Sequence, residues 1–199
     1  MNPLTSIKGT IITGFVLAGI IVFAGGMSGF NALNLEVWLH VLAGVVWIGL
    51  LYYFNFVQVP GVGAALADSD GPGPAAINKY VAPTALLWFR WAALVTWITG
   101  VGALEGLGGA MGAFTFSAGF SGSMAVIGVG AWLGTIMLLN VWGLIWPNQK
   151  KILGLDGKEH SAEDIAKAKF VALMASRTNT VLSVPMLLCM IGCGHGLTF

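Results

Sequence analysis

Five stretches of about twenty mostly apolar residues, bounded by polar, proline or glycine punctuation, constrain this chain more than any other feature. A helix rises about 1.5 Å per residue, so each stretch matches the roughly 30 Å hydrocarbon core of a bilayer. They run over Gly9–Met27, Leu35–Val59, Ala82–Leu104, Ser123–Trp146 and Phe170–Gly194. In a chain of 199 residues they leave no segment large enough for a separate soluble domain. Composition agrees, since only 9% of residues are charged, against about a quarter in a soluble domain. The first stretch follows Lys8 as a secretory signal would, but its apolar run is long and no clear cleavage signal ends it. It is read as a span.

These spans predict an all-α polytopic membrane protein, a single integral membrane domain over residues 1–199. Five transmembrane helices are expected, with spans two to five as a four-helix bundle and span one packed outside it. Nine Lys and Arg against eight Asp and Glu give a net charge of +1, which offers no basic face for nucleic acid. Lys8, Lys79, Lys150, Lys151, Lys158, Lys167 and Lys169 fall on one side of the spans, and Arg90 and Arg177 lie within spans three and five nearer that side. The opposite side carries only acids, Glu36 and Glu105. Cytoplasmic loops hold the excess of basic residues, so the N-terminus is predicted cytoplasmic and the C-terminus exoplasmic. Residues 106–122 read as a Gly-rich exoplasmic connection, and Leu155–Lys169 as a short cytoplasmic helix leading into span five.

A weak internal repeat is visible. Trp47-x-Gly49-x5-Asn55 in span two matches Trp132-x-Gly134-x5-Asn140 in span four, each followed by a proline, Pro60 and Pro147. Arg90 and Arg177 follow at similar intervals, as a duplicated two-helix unit would give. Gly44, Gly49, Gly134 and Gly143 are expected to allow close helix contact. Trp38, Trp88, Trp91, Trp142 and Trp146 suit the aromatic belts at the membrane faces, and the remaining tryptophans the core.

Ionisable groups within a membrane are costly and mark function by default. His40 lies near the exoplasmic end of span two and His195 ends span five on the same side, so the two stand at similar depth. Two imidazoles facing across a helix bundle can ligate a b-type haem, with Trp38, Leu39, Val41, Leu42, Trp47, Leu187, Leu188 and Met190 as walls. Alternatively, His40 is an interfacial helix-end residue and His195 a solvated one. No Cys-x-x-Cys-His exists for covalent attachment. Toward the cytoplasm, Asn55, Gln58, Arg90, Asn140, Arg177 and Asn179 come to comparable depth from four helices. That cluster could bind an anion such as a planar urate-like ring, a haem propionate or a quinone carbonyl. Equally, the arginines could snorkel while the amides join neighbouring helices. Cys189 and Cys193, one turn apart near His195, read as packing residues, with a metal site as the lesser alternative.

Several segments carry a family resemblance. Trp38-Leu-His-Val-Leu-Ala-Gly-Val-Val-Trp-Ile-Gly49, Lys79-Tyr-Val-Ala-Pro83, Trp88-Phe-Arg-Trp91, Thr96-Trp-Ile-Thr-Gly100, Gly134-Thr-Ile-Met137, Asn140-Val-Trp142 and Pro147-Asn-Gln-Lys150, with Asn179 and Pro185, resemble the membrane domain of the bacterial membrane-bound urate oxidase (urate hydroxylase) family. The resemblance implies an oxidoreductase of the bacterial inner membrane, with a periplasmic C-terminus, that passes electrons from urate to a cytochrome c or a respiratory complex. It places His40 and His195 at family positions and so favours their ligation of haem b. In this reading Arg90 and Arg177, with Asn55, Asn140 and Asn179, hold the substrate anion. The chain is shorter than the long members, lacks a cytochrome c domain, and has Ala92 and Thr178 where those would carry ionisable residues. The second reading is therefore a non-catalytic accessory subunit of a larger membrane oxidoreductase. A small transporter is the third, weakened because no span is clearly broken in mid-membrane.

Overall fold

The computed structural model describes residues 2–199, and all regular structure among them is helical. The chain divides into two compact units, residues up to Leu35 and Glu36–Phe199.

In the first unit, the Asn2 side chain accepts from the Leu4 amide at 2.9 Å and opens a short turn, Pro3–Thr5. Ser6 then caps α1 (Ile7–Ala24), its hydroxyl accepting from the Gly9 amide at 3.1 Å. Helix α1 is apolar all round and none of its residues is buried. Further on, Asn31 and Asn34 exchange hydrogen bonds, each side-chain oxygen accepting the other's backbone N–H at 3.1 Å. This is the reciprocal logic of a capping box, and it starts α2.

The remaining helices are α2 (Ala32–Ala67), α3 (Ile77–Leu107), α4 (Ala110–Thr115), α5 (Gly122–Ile152) and α6 (Ala162–Gly194). All but α4, together with α1, are long and apolar enough to cross a membrane. Most outrun the spans read from sequence: α2 has 36 residues, about 54 Å of helix. The prolines explain the difference. Three π-helical turns, Phe54–Gln58, Ile77–Val81 and Val141–Ile145, each end two residues before Pro60, Pro83 or Pro147. Proline lacks an N–H, and its ring collides with the carbonyl four residues back. Widening the preceding turn to i→i+5 bonding accommodates the ring and lets the helix continue. The helices thus continue past Val59 and Trp146, to Ala67 and Ile152.

The repeat survives in altered form. Phe54 and Val141, Pro60 and Pro147, and Arg90 and Arg177 stand 87 residues apart, but Trp47 and Trp132, and Asn55 and Asn140, stand 85 apart. Asn55 therefore lies inside its wide turn whereas Asn140 precedes the matching one.

Within the second unit, side chains from α2, α3, α5 and α6 meet in one apolar cluster that includes Trp47, Leu51, Phe89, Met137, Val141 and Met186. Hydrogen bonds join these helices in a closed cycle. His40 meets the Thr96 carbonyl (α2 to α3), and the Trp97 indole donates to Thr135 at 2.9 Å (α3 to α5). Asn140 donates to Asn179 at 2.9 Å (α5 to α6), and Asn55 donates to Ser176 at 2.8 Å (α2 to α6). Outward faces are apolar: Val45, Leu139 and Val181 are 68%, 64% and 69% exposed.

Close helix approach occurs at other glycines than expected. A Cβ at Gly49, Gly134 or Gly143 would meet nothing within 4 Å, and one at Gly44 would meet only Thr96 Cγ2 at 3.7 Å. The tight positions are Gly100, Gly102, Gly128 and Gly130, the last 3.0 Å from Cys189 Cβ. Two connections also differ from expectation. Gly108 and Gly109, at φ 140° and 108°, turn the chain into α4, which seats Ala113 against Leu104, Ile127 and Ala131. The Trp132 indole donates to the Phe114 carbonyl at 2.9 Å, so Trp132 lies at this edge rather than in the core. Leu155–Lys169 is not a separate helix: Ser161 caps α6 by accepting from the Asp164 amide at 3.1 Å. The residues before it are held by His160, 2.8 Å from the Asp156 carboxylate.

Candidate functional site

His40 sits on the face of α2 that meets α3. Its Nδ1 lies 2.7 Å from the Thr96 carbonyl oxygen. A carbonyl can only accept, so Nδ1 is the donor, and in the neutral ring Nε2 then keeps its lone pair. His195, exposed just beyond α6, has Nδ1 2.9 Å from the Ile191 carbonyl, and by the same argument Nδ1 is the donor there. Metal-ligating histidines typically have this arrangement, one ring nitrogen anchored to a backbone carbonyl and the other open. Each imidazole is anchored on a separate carbonyl.

The walls expected around them divide. Trp47 is buried, and Leu187 and Met190 pack on the same cluster, but Val41, Leu42 and Leu188 point outward. Successive residues on a helix turn by about 100°, so a continuous run cannot all line one site.

The polar group toward the other end is tied down. Asn179, fully buried, accepts from Asn140 and donates to the Met137 carbonyl at 2.9 Å. Asn55 spends its amide N–H groups on the Leu51 carbonyl and on Ser176. It therefore presents an acceptor, Oδ1, which is buried without a partner, as is Gln58 Oε1. Arg90 is half-buried with its guanidinium 3.8 Å from the centroid of the Trp146 ring, where Lys150 also approaches. Arg177 is exposed on α6. Asn140 and Asn179 are thus brought together, Asn55 is joined to α6 through Ser176, and the two arginines are placed apart from these amides' hydrogen bonds. An open cleft of about 360 Å³ between α2 and α3 is lined by Leu50, Tyr53, Tyr80, Val81, Thr84 and Ala85, none of them a residue singled out for ligand binding.

Several participants were not singled out as site residues in the sequence, although Thr96 and Gly100 delimit one of the resemblance segments. Thr96 acts through its backbone carbonyl, Gly100 through the space it leaves, and Ser176 and Ser183 as partners of Asn55 and Tyr52. The indole N–H groups of Trp47 and Trp142 are buried and unpaired. Cys189 and Cys193 are free thiols, and among the described residues no group of three or more His, Cys, Asp or Glu could hold a metal ion.

Residues 109–199 match the urate oxidase N-terminal family. The match relates α4, α5 and α6 to urate oxidases, and it contains Asn140, Pro147–Lys150, Arg177, Asn179 and His195. The Trp38–Gly49 and Lys79–Gly100 segments, with His40, Asn55 and Arg90, lie outside it. No curated protein and no solved structure matches the chain.

Proposed function

We propose that this chain is a membrane-embedded redox protein of urate-oxidase-like type, holding haem b on His40 and His195 and exchanging electrons with a cytochrome c or a respiratory complex. The observation that carries the haem reading is the shared state of the two histidines, each with Nδ1–H on a backbone carbonyl and Nε2 left to ligate. Haem b would supply a one-electron centre. The match over residues 109–199 supports the urate-oxidase-like part. Exposed apolar faces on all the long helices support insertion of five spans, α2, α3, α5 and α6 forming a bundle, in a bacterial inner membrane. The lysine distribution supports a cytoplasmic N-terminus and a periplasmic C-terminus.

In this reading Arg90 and Arg177, with Asn55, Asn140 and Asn179, would serve a substrate anion such as urate, the arginines supplying charge from outside the amides' own hydrogen bonds. One observation favours the accessory-subunit alternative: the Asn140–Asn179 pair and the Arg90–Trp146 stack already satisfy much of that polar group. Turnover separates the two. Urate consumption coupled to cytochrome c reduction by the purified chain is expected for the enzyme. Haem without turnover, restored by a larger complex, is expected for the subunit.

A further inference from the structure

We propose that Gly100 is the positioning residue of the His40 site, a part of α3 that leaves room for the imidazole and holds its ligating nitrogen in place. This rests on the haem reading of His40, but its geometry stands by itself. A Cβ at position 100 would lie 2.8 Å from both Cε1 and Nδ1 of His40, closer than real contacts allow. Glycine in a helix interior costs about 1 kcal/mol relative to alanine, and α3 runs unbroken through Gly100 to Leu107. Its conformational freedom is thus not used; only the missing Cβ is. The adjoining turn of α3 completes the niche. The Thr96 carbonyl takes the Nδ1 proton at 2.7 Å, and the Thr96 methyl lies 3.7 Å from where a Gly44 Cβ would stand. One turn earlier on α2, the Glu36 carboxyl occupies the equivalent space over Gly102, where a Cβ would be 2.9 Å from its Cδ. Two glycines of α3 thus receive His40 and Glu36 of α2. Gly49, with nothing near it, is the matched control.

A Cβ at position 100 must push the ring away from Thr96, which frees Nδ1 and removes the bias toward an unprotonated Nε2. The test compares the full chain in detergent with Gly100→Ala, Gly49→Ala, His40→Ala and the Gly100→Ala/His40→Ala double variant. Imidazole 15N shifts report the His40 tautomer, and optical spectra report haem retention and midpoint potential. Gly100→Ala is expected to lose the Nδ1–H tautomer, to weaken haem retention about 10- to 100-fold and to shift the potential, while Gly49→Ala behaves as the parent. Thermal midpoints supply a reading independent of haem: Gly100→Ala should lower the midpoint when His40 is present and raise it when residue 40 is alanine. A wild-type tautomer and wild-type haem retention in Gly100→Ala would overturn the proposal. A changed tautomer and the sign reversal, in a chain that never binds haem, would sustain the positioning role and sink the haem reading instead.

Discussion

A carbonyl oxygen decides the chemistry available to His40. Because the Thr96 carbonyl can only accept, Nδ1 is the donor and Nε2 is left out of that hydrogen bond, the arrangement in which the neutral imidazole binds a metal. His40→Ala should therefore abolish the haem optical bands of the purified chain, and an unchanged spectrum would exclude ligation by that residue. Asn179 belongs to a different kind of site. It is fully buried and uses both ends of its amide, so its role is to lock α5 to α6. We predict that Asn179→Ala destabilises the fold by about 1–3 kcal/mol in detergent unfolding, the cost of leaving Asn140 without its acceptor. A stability within error of the parent would mean that Asn140 finds another partner. The amide and histidine types were legible in sequence as ionisable or polar groups among apolar neighbours. Their orientation was not, because helices apolar all round carry no signal of which face turns inward.

Helices with prolines show what sequence could and could not convey. Apolar length gave the existence of the five long helices, yet Pro60 and Pro147 read as boundaries when they are, like Pro83, places where the helix widens and continues. Pro147→Ala would restore the missing N–H and remove the ring clash. It should tighten the turn and increase amide protection over residues 141–147 in hydrogen exchange, with a stabilisation of about 1 kcal/mol or more. Unchanged protection would show that packing of Trp142 and Ile145, rather than the proline, holds the wide turn open. The segment before α6 offers a pH test. The hydrogen bond from His160, at 2.8 Å, holds the Asp156 carboxyl below the usual carboxylate range. A depressed carboxylate pKa stabilises the folded segment above its unfolded value near 4, and that contribution is lost as pH falls through the lower folded value. Residues 153–161 should therefore loosen only below about pH 4 in exchange measurements, and Asp156→Asn should remove that dependence.

Across the whole molecule, the features read from composition and those set by packing separate cleanly. The apolar exterior, the basic side and the absence of any large soluble segment follow from residue counts. The closed cycle of hydrogen bonds around α2, α3, α5 and α6, and the tight approaches at Gly100, Gly128 and Gly130, depend on helix rotation and could not be read from them. The segments near Pro147 lie within the match over residues 109–199, whereas the His40 helix lies outside it. Haem ligation across the bundle requires that the histidine of the unmatched half and the histidine of the matched half serve one cofactor. A reduced-minus-oxidised spectrum with a pyridine haemochrome assay on the purified, detergent-solubilised chain tests this most directly. A b-type signal that is lost in both His40→Ala and His195→Ala is expected; a folded chain without haem, or a signal indifferent to both substitutions, would exclude ligation by this pair.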